Sequence, residues 1–162
     1  MAVQLTFVSH SEAATDEFAA LCARSLNCGL TIALNGQLGS GKTRFVRAFC
    51  EALGIDPSLV TSPTFVLMQL YQSDRWTVSH FDTYRLGDVD EFLALGAEEY
   101  LADPDNVCLI EWADRIAELL PHDHVTLSIQ QTGATQRTFE LSADGPVSDE
   151  LVRRVAELLR DR

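Results

Sequence analysis

A single-domain α/β fold, three layers deep around a mixed sheet of about seven strands, is what this sequence predicts. Three observations carry the prediction. Apolar runs of strand character alternate with runs of helical period through the first and middle parts of the chain. Two pairs of strands are separated only by short turn sequences, the mark of antiparallel hairpins. One buried-type strand, "LTIAL", runs straight into the glycine-rich "NGQLGSGKT" and then into a helix. The 162 residues suffice for one domain with a proper core, and no repeat, linker or low-complexity segment divides them.

The elements follow in order. "VQLTFVS" alternates as a short strand. Ser9 and Glu12 stand at capping-box spacing ahead of "EAATDEFAALCARSL", where Phe18, Leu21, Cys22 and Leu26 share a helical face that Asn27 and Gly29 end. "LTIAL" is a buried strand, and "KTRFVRAFCEAL" a helix stopped by Gly54. "TFVLMQLYQ" and "RWTVSHFD" form a hairpin across "SD", and "DVDEFLALG" a short helix with an acidic start. "NVCLIEW" is an apolar strand suited to a central parallel position, followed by "ADRIAELL", a helix stopped before Pro121. "HVTLSIQQ" and "QRTFELSA" make a second hairpin around "TGAT". In the tail, Leu151, Val152, Val155, Leu158 and Leu159 recur at helical spacing.

Composition narrows the function. With 46% hydrophobic and 22% charged residues, the chain has the balance of a soluble globular protein. It has no apolar run of membrane-spanning length and no signal-peptide pattern, so the expected location is the cytoplasm. A net charge of −12 repels phosphate backbones, so any role on RNA is expected to run through a partner protein. Cys22, Cys28, Cys50 and Cys108 are scattered without metal-ligand spacing and read as buried free thiols. His122 and His124 read as a surface loop rather than a zinc pair.

The glycine loop carries the chemistry. Gly36, Gly41, Lys42 and Thr43 satisfy G-x-x-x-x-G-K-T, with Gly39 adding freedom inside it, and this makes the fold a P-loop NTPase. Inward-turned backbone N–H groups and the positive end of the following helix suit a triphosphate. Lys42, the only lysine in the chain, supplies a compact charge at the β/γ position, and the Thr43 hydroxyl suits Mg²⁺. A guanine-reading N-K-x-D is impossible without a second lysine, so adenine, and hence ATP, is preferred by elimination.

A P-loop also needs a carboxylate at the end of a neighbouring strand. Glu111 closes "NVCLIE"; Asp82 closes "TVSHFD", on the same face as Trp76, Val78 and His80 by period-two alternation. Glu111 could instead mark the strand's exit to solvent, Asp82 could cap the turn "TYRL", and His80 could be a packed strand histidine. Trp112 beside Glu111 could be core. Arg44, Arg47, Arg75 and Arg85 border the expected site, either as solvated charges or as a basic rim, and Arg75 or Arg85 could reach a phosphate once positioned.

The motifs "GQLGSGKT", "TSPTF", "HFDTYRL", "EFLALG", "LIEWADRI" and "LLP" resemble, in order and spacing, the TsaE (YjeE) family over residues 9 to 121. The resemblance implies a small bacterial ATPase of tRNA threonylcarbamoyladenosine synthesis that works with TsaD and TsaB and meets tRNA only through them. It implies that Gly36, Gly39, Ser40, Gly41, Lys42 and Thr43 hold the triphosphate, and that Thr43 and Glu111 hold Mg²⁺. Lys42, Asp82 and Thr64 would be catalytic, Asp82 near the attacking water and Thr64 on a mobile loop near the γ-phosphate. Trp112 would shape the site or a partner surface, and Glu12 would lie at the adenine edge. A P-loop small-molecule kinase is the enzymatic rival, though no arginine pair on a glycine-flanked lid is evident. A nucleotide-binding module without turnover is the third reading.

Overall fold

A computed structural model describes residues 2–162. Seven strands, β1 (Gln4–Ser9), β2 (Thr31–Gly36), β3 (Met68–Gln72), β4 (Thr77–Asp82), β5 (Asn106–Glu111), β6 (His124–Gln131) and β7 (Arg137–Ala143), form one sheet in the order β1-β7-β6-β2-β5-β4-β3. The centre is parallel: β2 lies between β6 and β5, and β5 pairs β4. Both predicted hairpins form, β3–β4 and β6–β7, each antiparallel, and β1 closes the far edge against β7.

Alternation along the strands sends side chains to two cores. Ile32, Leu34, Val107 and Leu109 face α1 (Glu12–Arg24), α2 (Lys42–Ala52) and α5 (Pro146–Arg160). Ala33, Phe81, Cys108 and Ile110 face α3 (Val89–Leu93), α4 (Ala97–Ala102) and a 3₁₀ segment over Ala113–Leu119. The third layer covers the β2-β5-β4 side. On β6 and β7, Val125, Leu127, Phe139 and Leu141 are buried, whereas Gln130 and Glu140 on the opposite face are exposed, so that half of the sheet is clothed on one side only. No helix among the described residues is long and apolar enough to cross a membrane.

Several local expectations are corrected. The cap of α1 is Ser11, whose Oγ accepts from Ala14 N at 3.0 Å; Ser9 lies one step too early, its hydroxyl bonding Ser11 O and Thr15 Oγ1 instead. α1 ends at Arg24, before Asn27. The strand expected from Thr64 begins only at Met68, because Leu67 adopts φ 70° and its N–H turns back to Pro63 O. "ADRIAELL" winds as a 3₁₀ segment broken at Ile116: Ala113, Ile116 and Leu119 recur every third residue and pack on one face, the period of that helix. α4 was not foreseen. Gly96 at φ 76° separates it from α3. Cys22, Cys50 and Cys108 are buried, and burial pushes the Cys50 and Cys108 thiols up to about 12, but Cys28 is exposed. His124 lies on β6 beside Asp144 rather than in a loop.

Candidate functional site

Register builds the site. Leu34 of β2 stands opposite Glu111 of β5, and Glu111 stands opposite Asp82 of β4. The glycine loop leaves β2 at the same level, so three adjacent parallel strands deliver the loop and two carboxylates to one edge. Glu111 shares the face of Val107 and Leu109, and Asp82 that of Val78, the face on which α2 lies. His80, Asp82 and Glu111 are all buried.

The loop depends on its glycines at different points for different reasons. A Cβ at Gly36 would stand 2.6 Å from Ser40 Oγ and 2.7 Å from Ile129 O, so only glycine permits that approach. Gly39 and Gly41 take φ 81° and 108°, the left-handed region that side chains resist. α2 begins after Gly41 with no side-chain cap, leaving its first N–H groups available to an anion. Ser40 is buried, and its Oγ is the one buried side-chain polar atom without a partner among the described residues.

Lys42 Nζ donates to Gly36 O at 2.6 Å and Gln37 O at 3.0 Å, and lies 4.2 Å from the centre of the Trp112 ring. An ammonium has three donors, so one remains for a ligand. Burial pushes the Lys42 pKa down, opposed by the charges of Glu111, Asp82 and Asp114. Trp112 takes φ 60°, and its backbone carbonyl accepts from Thr83 Oγ1. The indole therefore walls the site beside Lys42, with Tyr84 tilted against it at 4.9 Å.

Glu111 joins two elements. Its Oε1 accepts from Thr43 Oγ1 at 2.9 Å, and its Oε2 lies 2.6 Å from His80 Nε2. His80 Nδ1 is in turn 3.0 Å from the Tyr71 hydroxyl. His80 is thus a packed strand histidine and, in the same position, the group that fixes the Glu111 carboxylate. A hydroxyl and a carboxylate in contact form a hard oxygen donor pair, which fits a small divalent cation shared with phosphate oxygens such as Mg²⁺. No cluster of three His, Cys, Asp or Glu that could cage a metal by itself occurs among the described residues.

Asp82 is held by its own turn and by the "SPTF" loop. Oδ1 accepts from Tyr84 N at 2.8 Å; Oδ2 accepts from Thr64 Oγ1 at 2.7 Å. Beyond Thr64, Phe65 and Val66 are 80% and 59% exposed, which puts bare apolar surface at the loop's tip.

Two cavities meet at the glycine loop. One of 400 Å³ is lined by Lys42, Thr43, Thr64, Asp82, Glu111 and Trp112. The other, of 590 Å³, is lined by Glu12, Gly39, Ser40, Gly41 and Arg44. Every residue to which the family resemblance gives a binding, metal or catalytic role therefore lies on one of these cavities or on the loop between them. The arginine rim divides. Arg44 is paired with Asp16 and Glu12, and Arg47 donates to Val60 O. Arg75 lies over Trp76 beside Ala52 and Gly54, away from both cavities. Arg85 borders the smaller cavity. Sequence reasoning missed Arg137, which lines the larger cavity and donates from Nε to Ser40 O at 3.1 Å; no local signal on β7 marks it.

A loop of this geometry between a central parallel strand and a helix, with carboxylates on the next two strands, places the chain among the P-loop α/β proteins. It belongs to the TsaE family: the family model described as "Threonylcarbamoyl adenosine biosynthesis protein TsaE" matches residues 9–139. The chain is 39% identical over 123 residues to the tRNA threonylcarbamoyladenosine biosynthesis protein TsaE of Treponema pallidum, covering 76% of this chain and 89% of that one. It is 37% identical over 131 residues to the Bacillus subtilis TsaE, covering 81% and 80%. A crystal structure of Bacillus subtilis YdiB superposes with a TM-score of 0.77 at 28% identity, covering 100% of this chain and 99% of that one.

Proposed function

We propose that the whole chain acts as one slow ATPase domain that drives or resets a tRNA threonylcarbamoyladenosine-forming assembly with TsaD and TsaB in the cytoplasm. The observation that carries this reading is the Thr43–Glu111 contact at the mouth of the glycine loop, with Asp82 in the same cavity. ATP is held by the amides around Gly36, Gly39, Ser40 and Gly41 and by Lys42, with Glu12 and Arg44 toward the base and Trp112 as a wall. Thr43 and Glu111 would hold Mg²⁺, whose charge offsets that of the phosphate oxygens. Asp82 orients the attacking water and accepts its proton. Thr64, bonded to Asp82, must release that carboxylate first, and a partner seated on the exposed Phe65 and Val66 would supply the movement. The net charge of −12 leaves tRNA contact to the partners.

Reconstituting the tRNA modification with and without this protein, over one and many turnovers, tests the reading. Dependence on the protein and on ATP hydrolysis is expected; label passing from the γ-phosphate to a metabolite would support the kinase instead. Glu111→Gln is expected to weaken the Mg²⁺ dependence of ATP binding by about tenfold, because a neutral amide is a poor ligand for a hard cation. The amide can keep its carbonyl toward His80 and donate to Thr43 Oγ1, so the fold should survive. An unaltered Mg²⁺ titration moves the metal role to Asp82.

A further inference from the structure

Arg85 is the one arginine lining the smaller cavity that is committed to no acid and no carbonyl among the described residues. Arg44 in the same cavity is tied to Asp16 and Glu12, and Arg137 in the larger one to Ser40 O. In a chain with 24 acidic residues against 12 basic ones, a guanidinium free of carboxylates at a cavity edge is a notable placement. It rests on an aromatic face instead: its central carbon lies 4.3 Å from the centre of the Phe65 ring.

Its backbone is fixed to the site. The turn Thr83–Leu86 is closed by Leu86 N donating to Thr83 O, Thr83 Oγ1 donates to Glu111 O, and Tyr84 N donates to Asp82 Oδ1. Arg85 thus projects from a turn whose neighbours hold the Asp82 carboxylate and the backbone carbonyl of Glu111. Phe65 and Thr64 are consecutive, so one loop holds Asp82 through Thr64 and Arg85 through Phe65. Movement of that loop releases the acceptor and the guanidinium together.

We propose that Arg85 is a catalytic arginine supplied in cis, masked on Phe65 in the closed loop and turned onto the γ-phosphate when the loop opens. The proposal rests on the ATPase reading above. In the step it serves, a water oxygen bonds to the γ-phosphorus while the bond from that phosphorus to the β–γ bridging oxygen breaks. The electron pair of the broken bond stays on ADP, and the water proton passes to Asp82 and then to solvent. Charge spread over the three equatorial oxygens is what a second cation, beyond Lys42, stabilises. A planar guanidinium contacts two of those oxygens at once, which an ammonium does not.

The test compares wild type with Arg85→Ala and Arg85→Lys in the mixture with TsaD and TsaB. Single-turnover hydrolysis at saturating Mg·ATP and ATP affinity by calorimetry are read together. Arg85→Ala is expected to lose on the order of 10³ in hydrolysis with affinity within about threefold, and Arg85→Lys to regain only a minor part. Guanidinium ion added to Arg85→Ala is expected to restore part of the rate, a readout that a merely structural role would not move. Phe65→Leu, which keeps apolar bulk but removes the ring, is expected to raise the rate of the protein alone by about two- to fivefold. Hydrolysis by Arg85→Ala within threefold of wild type overturns the proposal while leaving the ATPase reading intact. Equal losses of affinity and rate overturn it too, since they mark a ground-state contact. An unchanged Phe65→Leu rate overturns the masking. If wild type does not hydrolyse ATP in the mixture, the ATPase reading fails, and this proposal with it.

Discussion

Asp82→Asn is expected to lower partner-stimulated ATP hydrolysis by about 10²–10⁴, the span of a positioned acid–base group, while ATP affinity stays the same or tightens. Asparagine has the shape of aspartate. It can keep its carbonyl toward Tyr84 N, which Asp82 Oδ1 now accepts at 2.8 Å, and donate from its amide to Thr64 Oγ1, now at 2.7 Å from Oδ2. The turn and the "SPTF" loop therefore keep their geometry, and the lost property is the ability to take a proton. Removing a negative charge from a cavity that also holds Lys42 favours a polyanion, which sets the sign of the affinity change. Hydrolysis with TsaD and TsaB present, calorimetry with Mg·ATP and a melting curve separate the three quantities. Full stimulated activity in this variant would remove Asp82 from the mechanism.

Lys42→Ala is expected to weaken Mg·ATP binding by about 10–150-fold, the equivalent of one hydrogen bond to a charged group. The chain has no second lysine to substitute, and Arg44, the nearest basic residue on α2, is engaged by Asp16 and Glu12. The fold should not suffer. Burial is the largest influence on the Lys42 ammonium and pushes its pKa down, so alanine relieves a desolvation cost. The carbonyls of Gly36 and Gln37 it leaves behind line cavities that water can enter. Calorimetry on the folded variant decides the matter; unchanged affinity would mean that the glycine loop does not cradle phosphate.

Much of the site was legible because it is written in consecutive residues. The glycine loop needs its glycines, lysine and threonine at fixed short intervals, and a loop of that spacing between a buried strand and a helix adopts much the same form whatever surrounds it. The apolar run before Glu111 predicts a strand buried on both faces, and β5 is such a strand, paired on both sides in parallel. The hairpins follow from turn sequences between alternating runs, and both pairs form antiparallel.

What the sequence left open involves residues that meet only after folding. Thr43 and Glu111, 68 positions apart, touch because β2 and β5 are neighbours. His80 could be read as core or as functional; the sheet buries it and sets its Nε2 2.6 Å from Glu111 Oε2, a contact that no local pattern announces. Thr64 looked like part of a strand because "TFVLMQLYQ" has strand composition; its hydroxyl bonds Asp82, and the backbone turns at Leu67. Four arginines looked alike in the sequence, yet neighbouring acids and carbonyls claim two of them and distance removes a third. Local propensity and short-range spacing are properties of a dozen residues, and the sequence by itself determines them. The partner of a side chain depends on which strands lie side by side and in what register, and a burial energy spread over the whole core decides that.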